Sequence, residues 1–276
     1  MKAKVYAAGT ILNALALGVG SAFGLELEMK VKIDVGEKTS VIVNKREVES
    51  VVAKRILSIF GVEAHIEVES KIPPRSGLGS SSAFVNALLC ALLKEMGEEL
   101  NAYRILTANA RLSLETGISY TGAFDDAAAS LLGGFVVSDN RKLKLYRWDK
   151  LKGYAVVLIP GFNRGKVDIR KIREDSDKLR AVLPDLFAGE YCSVMKANSE
   201  YYCEKIGYPS DIVKKVWEKV CAGLSGNGPC YVAFGTKQNI AEVKKAWEEY
   251  GKVIQTKIAE KPAENVVVDK TLFIKT

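Results

Sequence analysis

Residues 72–83 read Ile-Pro-Pro-Arg-Ser-Gly-Leu-Gly-Ser-Ser-Ser-Ala and run without a breaker into an apolar stretch, Phe84 to Leu93. Two glycines and four serines in a loop that opens a helix are the ingredients of an anion site. A helix leaves its first N–H groups unpaired and carries partial positive charge at that end. Glycine lets the backbone approach an anion, and a serine hydroxyl reaches a phosphate oxygen or a metal. The plain reading is a serine-capped buried helix after a turn. The full run Pro73-x-x-x-Gly77-Leu78-Gly79-Ser80-Ser81 favours phosphate.

A second stretch, Glu115 to Gly134, sets Asp125-Asp126 before small residues at a helix start. Aspartates suit helix N-termini, so on their own Thr121 or Asp125 could be no more than a cap. Thr-Gly and Gly-Gly flank the pair, and such small residues would let a ligand come close. Two familiar nucleotide motifs fail. Gly161 to Val167 imitates a P-loop but has three residues between its glycines and a valine where a hydroxyl must meet Mg²⁺. Gly18-x-Gly20-x-x-x-Gly24 is one residue too long for a dinucleotide fingerprint.

The single histidine, His65, lies in an alternating run and belongs on a strand face. It excludes a multi-histidine metal site, so acid–base work falls to carboxylates, lysines or cysteines. The five cysteines show no C-x-x-C spacing, hence neither a zinc site nor a disulfide framework, and suit a reducing cytoplasm. No run of eighteen apolar residues occurs and the N-terminal run lacks a cleavage site, so no membrane segment or signal peptide is expected. The net charge of +7 sits in residues 141–180, where 13 Lys/Arg face 5 Asp/Glu. Its cations alternate with apolar positions and lack interleaved aromatics, which describes a solvated face rather than a nucleic-acid surface.

The elements that must position these groups fall into two units. Leu25–Val35 alternates as a strand, and Glu47–Phe60 has helical spacing stopped by Gly61. Ala64–Glu69 delivers the chain into the glycine-serine loop. Helices follow over Ser81–Met96, from Asn101 as N-cap to Glu115, and over Asp125–Leu132, then a strand over Phe135–Ser138. From Tyr154 the pattern restarts. A strand to Ile159 precedes helices over Val167–Leu183, Ala188–Ile206 and Ser210–Cys221. A second glycine loop, Gly223–Pro229, then leads into the strand Cys230–Phe234. A helix over Asn239–Tyr250 and strands over Val253–Ile258 and Val266–Phe273 complete a split βαβ pattern. A chain of 276 residues suits two α+β domains, here 1–150 and 151–276.

The glycine-serine loop resembles the phosphate loop of the GHMP kinases, and Gly223–Pro229 resembles their third motif. Asp126 is followed by Ser130 and by Gly133-Gly134, the spacing of the catalytic aspartate in the mevalonate kinase branch; Asp125 does not meet it. Gly9 to Gly24 and Thr-Gly-Ala-Phe-Asp-Asp-Ala resemble the archaeal-type shikimate kinase branch of this superfamily. The resemblance spans the chain and implies a ribosomal protein S5 domain 2-like N-terminal lobe and a ferredoxin-like C-terminal lobe with ATP between them. It implies ATP- and Mg²⁺-dependent phosphorylation of the shikimate 3-hydroxyl on the route to chorismate, with homoserine or mevalonate as rival acceptors and a non-catalytic regulator as a rival role. On this reading Asp126 is the catalytic base, and Ser81 and Glu115 hold Mg²⁺. Pro73, Pro74, Arg75, Ser76, Gly77, Leu78, Gly79, Ser80, Ser81, Ser82, Ala83, Ser225, Gly226 and Gly228 surround the nucleotide phosphates. Arg164, Lys166, Arg170 or Arg75 would meet the substrate carboxylate, and Thr10, Asn13 and Ser21 its hydroxyls. One departure stands out: Ala8-Gly9-Thr10 replaces the family's Pro-Gly-Lys, so the lysine that helps lower the pKa of the aspartate is missing.

Overall fold

A computed structural model describes residues 1–274. The N-terminal part runs β1 (Lys2–Leu12), β2 (Val19–Gly36), β3 (Ser40–Val43), β4 (Arg46–Glu47), α1 (Val51–Phe60), β5 (Glu63–Ser70), α2 (Ser80–Glu95), α3 (Ala102–Glu115), α4 (Phe124–Leu132), β6 (Phe135–Asp139) and β7 (Lys144–Asp149). The rest runs β8 (Tyr154–Pro160), α5 (Ile169–Arg173), α6 (Asp177–Arg180), α7 (Leu183–Ala188), α8 (Tyr191–Ile206), α9 (Asp211–Lys214), β9 (Cys221–Leu224), β10 (Tyr231–Gly235), α10 (Lys237–Trp247) and β11 (Gly251–Lys257).

β2 organises the first sheet. It is 18 residues long, pairs antiparallel with β1 along most of its length, and gives one half to β6 and the other to β5. β3 and β4 extend the sheet beyond β5, and β7 extends it beyond β6. Helices α2 and α4 lie on β1 and β2, and α3 packs on both. That placement explains why α2 and α4 are apolar nearly all round: each is covered by sheet on one side and helix on the other. The second sheet has the order β11-β8-β10-β9, all antiparallel, the order a split βαβ unit requires. The two sheets meet through an aromatic cluster. Phe23 stacks on Phe135 at 5.3 Å, Phe234 meets Phe23 edge-on at 5.0 Å, and Tyr191 stacks on Phe135 at 4.9 Å.

Several expectations change. The helix after the first hairpin starts at Val51, because Ser50 caps it by accepting from the Ala53 N–H, and Arg46–Glu47 joins the sheet instead. The helix expected over Ala188–Ile206 starts at Tyr191 as α8; Ala188 closes α7, and Gly189 in the left-handed region separates the two. Val167–Leu183 and Ser210–Cys221 hold only the short helices α5, α6 and α9, with Leu183 opening α7 and Cys221 opening β9. The expected last strand is no strand. Val267 and Phe273 each form a single bridge, to Asn101 and Leu145, and Lys270–Leu272 turns as 3-10 helix. This tail leaves the second sheet and returns to the first unit: Ala259 N–H donates to Gly24 O, and Glu264 meets both the Lys4 N–H and Lys94. The 151–276 unit therefore overstates the second body at its C-terminal end. Cys192 and Cys221, 29 residues apart, are in disulfide contact with Cα atoms 4.6 Å apart, a pairing that short-range spacing does not reveal.

A fully buried polar chain ties the three helices together. Asn86 of α2 donates to Ala127 O of α4 (2.8 Å). Asn109 of α3 donates to Ser82 O (2.8 Å) and to Asn86 Oδ1 (2.7 Å), and Ser113 donates back to Asn109 Oδ1 (3.1 Å). Removing one member orphans the others, which costs about 1–3 kcal/mol. Asn109→Ala should lower unfolding free energy by about that amount in urea titration; an unchanged midpoint would mean the chain is not holding the helices.

Candidate active site

Ser76 Oγ donates to Pro73 O at 2.7 Å and closes the loop on itself, while Leu78 is buried in the core. The N-cap of α2 is Gly79, in the left-handed region and with no side chain to accept from the first turn. This replaces the serine cap of the plain reading. Elsewhere Ser50, Asn101 and Thr236 cap their helices with side-chain oxygens. The first N–H groups of α2 are left open to an anion. The N-cap of α4 is Ala123, also left-handed and without a capping side chain, with Asp125 and Asp126 in the first turn. These two helix starts open into one cleft of about 190 Å³. A Cβ placed on Gly79 would lie 3.6 Å from Asp126 Cγ, so the loop backbone and the carboxylate are neighbours.

The second glycine loop closes the other side. Ser225, fully buried, donates its hydroxyl to Gly77 O at 2.8 Å, and Cys230 N–H donates to Ser76 O at 3.1 Å. Gly77 sits at φ +86°, and any Cβ there would come within 2.1 Å of Ser225 O. Thr10 locks the same loop reciprocally: Gly226 N–H donates to Thr10 Oγ1 at 2.7 Å, and Thr10 N–H donates to Ser225 Oγ at 3.2 Å. Asn13 donates to Gly226 O and Asn227 Oδ1.

Of the expected residues, Thr10, Asn13, Gly77, Gly79, Ser80, Ser81, Ser82, Asp126, Arg164 and Gly226 line the cleft. Others shape it from behind. Ser76, Leu78, Ala83 and Ser225 are buried, and Gly228 packs on Tyr208. Pro74 lines a second, largely apolar cavity of about 320 Å³ that shares Ser80, Ser81 and Ile118 with the cleft. Pro73 is a partly buried member of the loop, and Arg75 is exposed at its outer turn.

Ser21, Lys166, Glu115 and the exposed Arg170 stay away from the cleft. Ser21 is fully buried in β2 and donates to Val136 O at 2.7 Å. Lys166 is exposed and lines none of it; Arg164 is the one cation among its lining residues. Glu115 binds Arg55 at 2.6 Å, between α3 and α1, and borders a separate groove. The last turn of α3 sends Ser113 to the cleft instead, since residues two apart on a helix point about 200° apart.

The residues that the sequence did not single out are Asn140, Ser113 and Asn227, with Asp125 given second place. Asp125 lines the cleft and accepts from Asn140 Nδ2 at 2.8 Å. Burial pushes its carboxyl above the ordinary aspartate range, opposed by the Asn140 bond and by backbone N–H groups. Burial and then the neighbouring Asp125 charge push Asp126 well above that range. Among the described residues, no lysine lines the cleft beside them. The arrangement offers open amides for an anion, a base with raised proton affinity beside them, and a cation at the rim.

The GHMP kinases N terminal domain family matches residues 46–134, which hold the phosphate loop and both aspartates. A shikimate kinase of Archaeoglobus fulgidus is 56% identical over 276 residues, covering 100% of this chain and 99% of that protein. One from Methanosarcina mazei is 34% identical over 92% of both. Among solved structures, a Methanococcus jannaschii mevalonate kinase superposes with a TM-score of 0.74 at 14% identity, over 94% of this chain and 98% of that one. A homoserine kinase from Cytophaga hutchinsonii gives 0.66 at 18%, over 94% and 96%. Full-length identity to the Archaeoglobus protein, with the two-sheet fold of the solved kinases, places this chain in the GHMP kinase superfamily, among its archaeal-type shikimate kinases.

Proposed function

We propose that this chain transfers the γ-phosphoryl group of ATP to the 3-hydroxyl of shikimate in the cytoplasm, on the route to chorismate. The observation that carries the mechanism is the meeting of the uncapped start of α2 with Asp126 across one cleft. Phosphoryl transfer demands alignment and neutralisation of phosphate oxygens more than covalent chemistry. The open amides of Ser80–Ser82 receive phosphate oxygens, and Thr10 and Ser225 hold the second glycine loop against them. The apolar cavity that shares Ser80 and Ser81 takes the base and ribose of the nucleotide. Asp126 accepts the proton of the attacking hydroxyl, and its raised proton affinity suits it to that task. Arg164 at the rim pairs with the acceptor carboxylate.

The cleft's donors are hydroxyls and carboxylates, the oxygen ligands that Mg²⁺ prefers alongside phosphates. Ser81 would hold it together with the nucleotide phosphates, since Glu115 is paired with Arg55 and Asp126 is kept for the hydroxyl proton, and it would neutralise charge on the phosphates. Among the described residues no cluster of three acidic or soft ligands forms a site without the nucleotide.

With Mg²⁺ and ATP, the purified protein should release ADP on addition of shikimate and not of homoserine or mevalonate. Release with homoserine alone would overturn the assignment. Asp126→Asn should lower kcat by about 100-fold or more. In the wild type, kcat/KM should rise with pH through a midpoint above the ordinary aspartate range, because the base must first lose its proton. A fully active Asp126→Asn would remove the role. Arg164→Met should raise KM for shikimate by about 10- to 100-fold, the worth of a charge-assisted bond, with a smaller change in kcat. Unchanged KM would place the carboxylate elsewhere.

A further inference from the structure

Two carboxylates face the cleft, and a single attacking hydroxyl occupies one. Asp125 is 5% exposed, yet it lines the cleft beside Asp126. Its position is fixed from two sides. Asn140, 3% exposed, donates to Asp125 Oδ1 at 2.8 Å. Asn140 is itself oriented, since Ser138 Oγ donates to its Oδ1 at 2.7 Å, so its amide group must present N–H to the aspartate. On the far side Asp125 Oδ2 lies against Gly20, where a Cβ would come within 2.3 Å of it. The Asn140 amide also reaches Thr121 Oγ1, at 3.4 Å, on the loop that borders the cleft. No cation takes part in this arrangement. Asn140 and neighbouring backbone N–H groups hold this buried carboxylate without a counter-charge, so a hydroxyl donor from whatever fills the cleft would stabilise it further.

We infer that Asp125, positioned by Asn140, accepts a hydrogen bond from the hydroxyl next to the one phosphorylated, and so restricts the acceptor to vicinal diols. This rests on the kinase reading above. Adjacent residues at one helix start bring two carboxylates to one cleft, so a vicinal diol can offer one hydroxyl to Asp126 and the next to Asp125. An acceptor with an isolated hydroxyl leaves Asp125 buried and unmatched, which a site built for a hydroxyl penalises heavily.

The test uses the wild-type enzyme with shikimate and with 4-deoxyshikimate, which keeps the 3-hydroxyl and lacks its neighbour. The wild type should favour shikimate in kcat/KM by about 100-fold or more. Asp125→Asn should lose activity on shikimate but little on 4-deoxyshikimate, so the ratio shrinks to within about fivefold. Asn140→Ala should shrink the same ratio, a change that loss of a merely structural contact would not produce. Equal wild-type kcat/KM on the two acceptors would overturn the inference without any variant. Equal loss on both acceptors in Asp125→Asn would overturn it as well. Absence of turnover with shikimate in the wild type would instead defeat the kinase reading itself.

Discussion

The contact between the two glycine loops is the constraint on which the rest depends. Gly77 and Ser225 approach so closely that no side chain fits at Gly77, and the Ser225 hydroxyl bridges to the Gly77 carbonyl. That contact draws the turn after β9 onto the loop before α2, and with it the second sheet onto the first. It also sets the phosphate loop's shape, because the Cys230 N–H holds the Ser76 carbonyl. Thr10 completes the joint from β1 through two bonds to the second loop. Thr10 thus serves loop geometry.

Electrostatics follow from that exchange. Two helix starts without side-chain caps point into one cleft, one to meet phosphate and the other carrying a pair of aspartates. Each helix end supplies partial positive charge. Burial raises the proton affinity of both aspartates, and the Asp125 charge raises that of Asp126 further. The polar chain Asn86–Asn109–Ser113 sits beneath both helix starts and bonds to Ser82 O and Ala127 O. The glycine-serine loop and the aspartate that faces it are thereby tied to one hydrogen-bonded network.

The sequence already carried the local features, because each rests on residues close together in the chain. Alternation revealed the core of β2 and β5, glycine and serine marked the phosphate loop, and Asn101 announced the start of α3 by capping it. The spacing from Asp126 to Gly133-Gly134 pointed to the aspartate that reaches the cleft. Long apolar-polar stretches after Val167 were read as single helices because periodicity does not register a break such as Gly189. The terminal segment looked like a strand because its composition is that of one, yet its neighbours offer only single bridges.

What only the tertiary structure decided were the partners across long sequence separations. The family resemblance implied Glu115 as a metal ligand, but the end of α3 turns it to Arg55 and gives Ser113 to the cleft. Asn140 has no motif and gains its place because β6 ends beside the start of α4. Ser21 looked like a ligand group and is a strand residue satisfied by Val136. By itself the sequence determined which two helix starts meet at the cleft, since helix starts and flanking glycines are local. Which other groups share that cleft depends on packing angles between elements, and a shift of two residues on a helix reverses the side they face.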